Sequence, residues 1–266
     1  IGTRLTELLL QRGHRVSHLG RSPKTGSVPT FVWNVRKREV DARALDGVDT
    51  IIHLAGANVA DKRWTAARRQ EILDSRVNST SLLFDILKTG KHSVKSVVSG
   101  SAIGYYGFNP EDRVLSEESG PGNDFLATVV KGWEEQADRI ASLGIRVVKV
   151  RSGIALSKNG GALKKMALPI MWGIGAPLGS GRQWMSWIHI DDLCGIFIKS
   201  VEEKAMSGVY NATAPHPATN REFTQLLAKV MRRPLWLPVV PVFALRLLLG
   251  AGTEIVVNGC NISSAK

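Results

Sequence analysis

The chain has 266 residues, 44% of them hydrophobic and 22% charged, which is material for one large α/β domain, or a main domain with a small satellite, and does not fit a disordered or fibrous chain. The 35 basic and 23 acidic side chains leave a net charge of +12, which suits a phosphate-bearing partner. The densest basic run is only Arg36-Lys37-Arg38, with no interleaved aromatics, so nucleic-acid binding is not expected.

Residues 1–12 read as an amphipathic helix that stops at Gly13. Because the chain starts at Ile1-Gly2-Thr3 without a Met, already inside this helix, we expect the strand before it and most of a glycine-rich loop to lie upstream. Residues 14–19 alternate toward a short strand, closed by Gly20-Arg21-Ser22-Pro23, and residues 31–35 predict a second. Residues 50–54 are a nearly continuous apolar run, as in a strand buried on both faces of a parallel sheet, and lead into Ala55-Gly56. Ile72, Leu73, Val77, Leu82, Leu83, Ile86 and Leu87 fall at helical spacing and predict a helix over 65–89. A strand at 93–98, a long helix at 123–143 ending at Gly144 and a strand at 145–150 follow. Such alternation predicts an α/β fold, a Rossmann-like doubly wound parallel sheet.

After Arg151 glycine-rich turns loosen the pattern, and segments from about 152 to 190 are expected to form a small substrate lobe. Helices are predicted at 191–203, with Asp191 as N-cap, and at 220–231. Residues 236–252 are the most apolar stretch; Pro238, Pro241 and Arg246 interrupt it and it is short for a membrane span. It is predicted to be a core-packing helix after a Pro-rich loop, and no membrane partner is expected. Cys194 and Cys260 stand outside any metal-ligand cluster, so no metal is expected, and two isolated cysteines fit a reducing cytoplasm.

The chemistry is carried by a few short segments. Gly2 stands where the last glycine of a dinucleotide-binding turn lets the first helix pack near the sheet, its N-terminus facing a pyrophosphate. At the end of the second strand of such a unit, NAD-binding proteins place a carboxylate on the ribose. Here Arg21 and Ser22 occupy that place, and a guanidinium fork suits a 2′-phosphate, so NADP is expected rather than NAD. Leu54, Ala55 and Gly56 end a buried strand in small residues over which a dinucleotide can lie, while His53 is read as structural. The next strand carries Ser99 and Ser101 toward its tip, followed by Tyr105 and Tyr106; hydroxyls there can bond a reacting carbonyl or alcohol. Arg182 and Trp184, in a glycine-rich loop of the expected substrate lobe, are candidates for an anionic or flat substrate.

Gly2, the HLAG segment at 53–56, SGSA at 99–102, WIHIDDL at 187–193 and VYNAT at 209–213 together resemble the extended short-chain dehydrogenase/reductases, the NAD(P)-dependent epimerase/dehydratase superfamily. RWTAARRQEILDSRV (63–77), RSGIALSKNGGAL (151–163) and PLGSGRQWMSWIHIDDL (177–193) resemble more narrowly the YfcH/SulA-type atypical epimerases. The resemblance implies an NAD(P)-binding domain over 1–213 and part of a small C-terminal domain over 214–266. It implies that Ser101 is the catalytic Ser/Thr, that Gly2, Arg21, Leu54, Ala55 and Gly56 meet the cofactor, and that the substrate is a small or sugar-like molecule. One departure stands out. The superfamily's Tyr-x-x-x-Lys pair is absent from 123–135, where Lys131 has Ala127 at the tyrosine's offset. Either Tyr105 or Tyr106 supplies the proton, or the protein binds NADP without the usual chemistry; both remain open here, as does the oligomeric state.

Overall fold

A computed structural model of the chain describes residues 1–23, 25–108 and 113–266. Helix α1 (Gly2–Gln11) buries Leu5 and Leu9, one turn apart, and is followed by Gly13 in a left-handed conformation, φ +83°. Strands β1 (His18–Gly20), β2 (Thr30–Asn34) and β3 (Glu39–Val40) form a small sheet, β1 parallel and β3 antiparallel to β2. The central elements are β4 (Thr50–His53), α2 (Ala66–Thr89), β5 (Ser96–Ala102), β6 (Val114–Leu115), α3 (Phe125–Ala141) and β7 (Arg146–Ser152). After them come β8 (Ile154–Ser157), α4 (Gly161–Met171), β9 (Trp184–Met185), β10 (Trp187–His189), α5 (Ile190–Glu202) and β11 (Gly208–Ala212). The last are β12 (Ala218–Thr219), α6 (Asn220–Val230), α7 (Val242–Leu249), α8 (Glu254–Val257) and β13 (Asn261–Ile262).

Four strands, in the order β11-β7-β5-β4, make a parallel sheet. Its residues alternate between two faces, and each face has its own core. Val98, Val148 and Val150 face α1 and α5, where Leu5, Leu9, Leu193, Phe197 and Ile198 cover them. Val97 and Val147 face α2 and α3, where Leu82, Leu83, Leu87, Ala137 and Ile140 pack with Trp33 of β2. Burying each large apolar side chain of this set contributes roughly 1.5–3 kcal/mol, which is why helices are needed on both faces of the sheet. This is the Rossmann-like α/β arrangement expected from the alternation.

The smaller pairs β8 with β10, β9 with β12 and β6 with β13 lie beyond the central sheet. Several expectations need correction. Of the stretch 14–19 only His18 and Leu19 lie in a sheet, in a strand that runs on to Gly20. Strand β5 runs on to Ala102, so Ser99 and Ser101 lie within it. Asp191 does not cap α5: His189 is the N-cap, its Nδ1 accepting from the Asp191 N–H, and the Asp191 carboxylate instead meets Arg4 Nε at 2.6 Å. The apolar stretch 236–252 is not a core-packing helix. Helix α7 buries only Leu245, while Trp236, Phe243, Leu247 and Leu248 are exposed. Among the described residues no helix is long and apolar enough to cross a membrane.

Candidate functional site

In-register parallel strands end together, and their carboxyl ends form the edge at which open α/β sheets hold ligands. His53 pairs with Ser99, and Ser101 with Arg151, across β4, β5 and β7. The tips are close-packed: a Cβ on Gly100 would lie 3.2 Å from the His53 carbonyl oxygen and 3.4 Å from Leu54 Cδ2. His53 behaves as a structural residue. It is buried, its Nε2 lies 3.1 Å from Ser79 Oγ, and its ring sits edge-on to Trp33 and Trp133 at 6.2 and 6.4 Å. Burial pushes its pKa down to about 4, so the ring is neutral at neutral pH.

Ser101 belongs to a buried polar network. Its hydroxyl donates to Glu134 Oε1 at 2.5 Å. Arg151 donates to both oxygens of the same carboxylate at 2.8 Å each, and to the Tyr106 hydroxyl at 3.0 Å. Tyr106 donates in turn to Asn211 Oδ1 at 2.6 Å. Burial opposes the Arg151 charge, but its hydrogen bonds to the Glu134 carboxylate outweigh that and keep the guanidinium protonated. Burial raises the Tyr106 pKa against the opposing pull of Arg151, so its phenol stays a neutral donor. Tyr105 is less enclosed, and its ring lies under the Arg151 guanidinium, 3.4 Å from Cζ to the centroid. The α3 side chains nearest Gly104 are aliphatic: a Cβ there would meet Leu126 Cβ at 3.3 Å and Val130 Cγ2 at 3.8 Å. So this side of α3 places neither a phenol nor an ammonium beside the turn after Ser101.

Arg76 completes the edge on the β4 side. It lies on the buried stripe of α2 between Ile72 and Ser79, and its Nη1 donates to the carbonyls of Ala57 and Ile72 at 3.0 Å each. Its guanidinium lies 5.3 Å from the centroid of Trp133 and against Gly56, where an added Cβ would come within 3.0 Å of Cζ. Burial, then repulsion from Arg68, lowers its pKa to about 10.

The structure therefore brings together Leu54, Ala55, Gly56, Ser99, Ser101, Tyr105 and Tyr106 around the ends of β4 and β5. Ser99 is buried and donates to the neighbouring Gly100 carbonyl. Arg21 and Ser22 are exposed on the turn after β1, with no carboxylate in ion-pair contact with Arg21 among the described residues. Gly2 opens α1, but an added Cβ there would meet nothing within 4 Å, so the close helix–sheet approach expected of this glycine is not found among the described residues. Arg182 is exposed before β9 and Trp184 begins that strand, both within the smaller lobe. Sequence reading passed over Arg76, Glu134 and Arg151. A signal was present in the charges set among apolar neighbours in sequence: Ile72 and Leu73 before Arg76, Val130 and Ala137 around Glu134, and Val147, Val148 and Val150 before Arg151. Among the described residues no group of three or more His, Cys, Asp or Glu is placed to hold a metal ion.

Comparison with known proteins agrees with this architecture. Residues 1–213 match the NAD dependent epimerase/dehydratase family. An epimerase family protein of Mycobacterium bovis is 38% identical over 246 residues, covering 92% of this chain and 80% of its own length. Epimerase family protein YfhF of Bacillus subtilis is 34% identical, covering 97% of this chain and 85% of its own length. The crystal structure of human epimerase family protein SDR39U1 (isoform 2) with NADPH superposes with a TM-score of 0.87 at 32% identity, covering 99% of this chain and 87% of that one.

Proposed function

The chain belongs to the NAD dependent epimerase/dehydratase family, and from that membership we propose that it binds NADP(H) across the carboxyl ends of β4 and β5 and performs oxidoreductase- or epimerase-type chemistry on a small or sugar-like substrate. The observation that carries this reading is the likeness, over 99% of the chain, to a human relative whose structure contains NADPH.

The residues present suit such a group. Gly56 is exposed and leaves an open rim, and the cationic Arg76 stands beside it without a carboxylate. In this reading Leu54, Ala55 and Gly56 line the dinucleotide, with Gly2 and Ser99 nearby, and Arg21 and Ser22 meet the 2′-phosphate. Bound there, the nicotinamide would accept or return a hydride. Ser101, fixed by Glu134, orients the reacting oxygen. Of the two tyrosines, Tyr105 is the proton donor we favour, because the Tyr106 hydroxyl is already committed to Asn211 and Arg151. Arg182 and Trp184 are offered to substrate from the smaller lobe. Cys194 and Cys260 are buried and not joined by a disulfide, which suits a reducing compartment such as the cytoplasm.

One observation favours a second reading, a non-catalytic NADP-binding sensor or scaffold: Leu126 and Val130 stand beside Gly104, and α3 carries no Tyr-x-x-x-Lys pair. Fluorescence titration with NADPH and NADH tests the cofactor. NADPH is expected to bind more tightly, and Arg21→Ala to weaken NADPH at least tenfold while leaving NADH unchanged. Equal affinities that Arg21→Ala does not alter would remove the NADP assignment. Reduction of NADP by a panel of alcohols and sugar nucleotides, lost in Tyr105→Phe, supports the enzyme; tight binding with no turnover supports the sensor.

A further inference from the structure

We propose that residues 258–266 form a strap that orients Asn211, and that Asn211 is a positioning residue which fixes the Tyr106 hydroxyl and, through the Tyr106 ring, the place of Tyr105. The positioning role rests on the reading of Tyr105 as proton donor; the strap itself does not.

The strap lies behind the tyrosine turn and touches three separate parts of the fold. Asn261 and Ile262 pair in parallel with Val114 and Leu115, and the Ser263 N–H donates to the Leu115 carbonyl at 2.8 Å. The Ser186 hydroxyl, between β9 and β10, accepts from the Ile262 N–H at 3.2 Å and donates to the Cys260 carbonyl at 2.7 Å. Cys260 and Ile262, 7% and 2% exposed, pack with Tyr106 and Leu115, and the Cys260 thiol donates to the Gly107 carbonyl. Gly259 passes so close to β9 that a Cβ there would collide with the Trp184 carbonyl, so the crossing requires glycine.

A side-chain amide can turn either end toward a neighbour, and the groups on its two sides decide which. The Ser263 carbonyl can only accept, and Asn211 Nδ2 donates to it at 3.1 Å. Oδ1 must therefore face Tyr106, whose hydroxyl donates to it at 2.6 Å. At the far end Arg151 Nη1 can only donate, and it gives to the same hydroxyl at 3.0 Å. The chain from Arg151 through Tyr106 and Asn211 to Ser263 thus runs one way, with a group at each end that cannot reverse. Its direction is written by a backbone carbonyl of the strap. The Tyr106 hydrogen is committed, and its hydroxyl is held between Arg151 and Asn211. Tyr105 stands edge-on to that ring, 5.4 Å between centroids, and under the same guanidinium. What holds Tyr106 therefore also holds Tyr105.

The test labels the full chain with carbon-13 at tyrosine Cζ, which gives three signals, assigned with Tyr105→Phe and Tyr210→Phe. It follows exchange of each hydroxyl hydrogen with solvent, beside alkylation of the two thiols by iodoacetamide. The buried, doubly bonded Tyr106 hydroxyl should exchange about tenfold more slowly than that of Tyr105. Ile262→Ala trims an anchor of the strap without touching a hydroxyl. It should speed Tyr106 exchange and Cys260 alkylation together, each about fivefold or more, while Cys194, packed in the core below α5, keeps the wild-type rate. Ser186→Ala removes two strap bonds and keeps the apolar anchors, and gives the same comparison if Ile262→Ala does not fold. On any alcohol or sugar nucleotide that is turned over, Asn211→Leu should lower kcat about tenfold and leave KM within about threefold, because only the order of the tyrosine turn is lost. Wild-type Tyr106 exchange as fast as that of Tyr105, or Tyr106 exchange unmoved while Cys260 labels faster, would overturn the strap. An unchanged kcat in Asn211→Leu would overturn the positioning role. A protein that turns over nothing sinks the enzyme reading instead, and exchange and alkylation then decide the strap alone.

Discussion

Replacing Glu134 of α3 by Leu should strongly destabilise the packing of α3 on the central sheet. The substitution removes both 2.8 Å bonds from Arg151 and the 2.5 Å bond from Ser101, and leaves the Arg151 guanidinium, only 3% exposed, as a buried cation without a counter-charge. Breaking a buried pair from one side costs about 3–5 kcal/mol, a large share of the roughly 5–15 kcal/mol by which domains are stable. At about 2–4 °C per kcal/mol for a chain of this size, the melting temperature should fall by roughly 6–20 °C. The double variant Glu134→Leu with Arg151→Met should recover most of the loss, because two apolar side chains leave no charge stranded. The Tyr106 hydroxyl keeps Asn211 as its acceptor in that variant. Urea unfolding followed by tryptophan fluorescence measures all three proteins. A single variant within about 1 kcal/mol of wild type, or a double variant no better than the single, would show that the ion pair does not hold the β5–β7–α3 junction together.

Stability should fall in acid on account of His53, whose folded pKa of about 4 lies below the unfolded 6.5. Between those values the unfolded chain binds the extra proton, so stability is lost as pH drops through this window, by up to roughly 3 kcal/mol. A His53→Asn protein should show a flatter dependence of unfolding free energy on pH from 6.5 to 4, and an unchanged slope would refute the assignment. Gly153→Ala should cost about 1–3 kcal/mol through overpacking, because the new Cβ would lie 2.5 Å from the Ser186 carbonyl oxygen and 2.9 Å from Thr213 Cγ2; denaturant unfolding reads the loss. Thr219→Ala removes the capping box of α6, in which Thr219 and Glu222 bond reciprocally. It should cost about 1 kcal/mol, seen as a lower unfolding midpoint, and an unchanged midpoint would mean that α6 does not depend on its cap.

The fold was legible where burial is two-sided. The runs that became β4 and β7, and the helical spacing of α2 and α3, are imposed by helices packing on both faces of the sheet, and their bounds fall within a few residues of expectation. Strand β5 was cut short because Ser99, Gly100 and Ser101 are polar or small, although β7 pairs with all three and β4 with Ser99, which keeps them extended. Position 191 was misread because two residues close in sequence can each bond the first turn of a helix, and the imidazole of His189 took the role while Arg4, distant in sequence, drew Asp191 away. Helix α7 was legible as a helix but not as an exposed one, since apolar content says nothing about what lies against it. Among the site residues the serines, tyrosines and glycines could be found by motif. Glu134 and Arg151 could not, because their partnership joins a helix and a strand, and a carboxylate in a helix gives no sign of what it faces until the two are packed together.

The bond between Ser101 and Glu134 fixes the polarity of the strand tip. A hydroxyl has one hydrogen to give, and here a carboxylate has claimed it, so only lone pairs remain on that oxygen. An alcohol can hand its hydrogen to Ser101, whereas a carbonyl oxygen finds no donor on that hydroxyl while the bond to Glu134 stands. The tip of β5 as folded therefore complements a hydrogen-bond donor better than a bare acceptor.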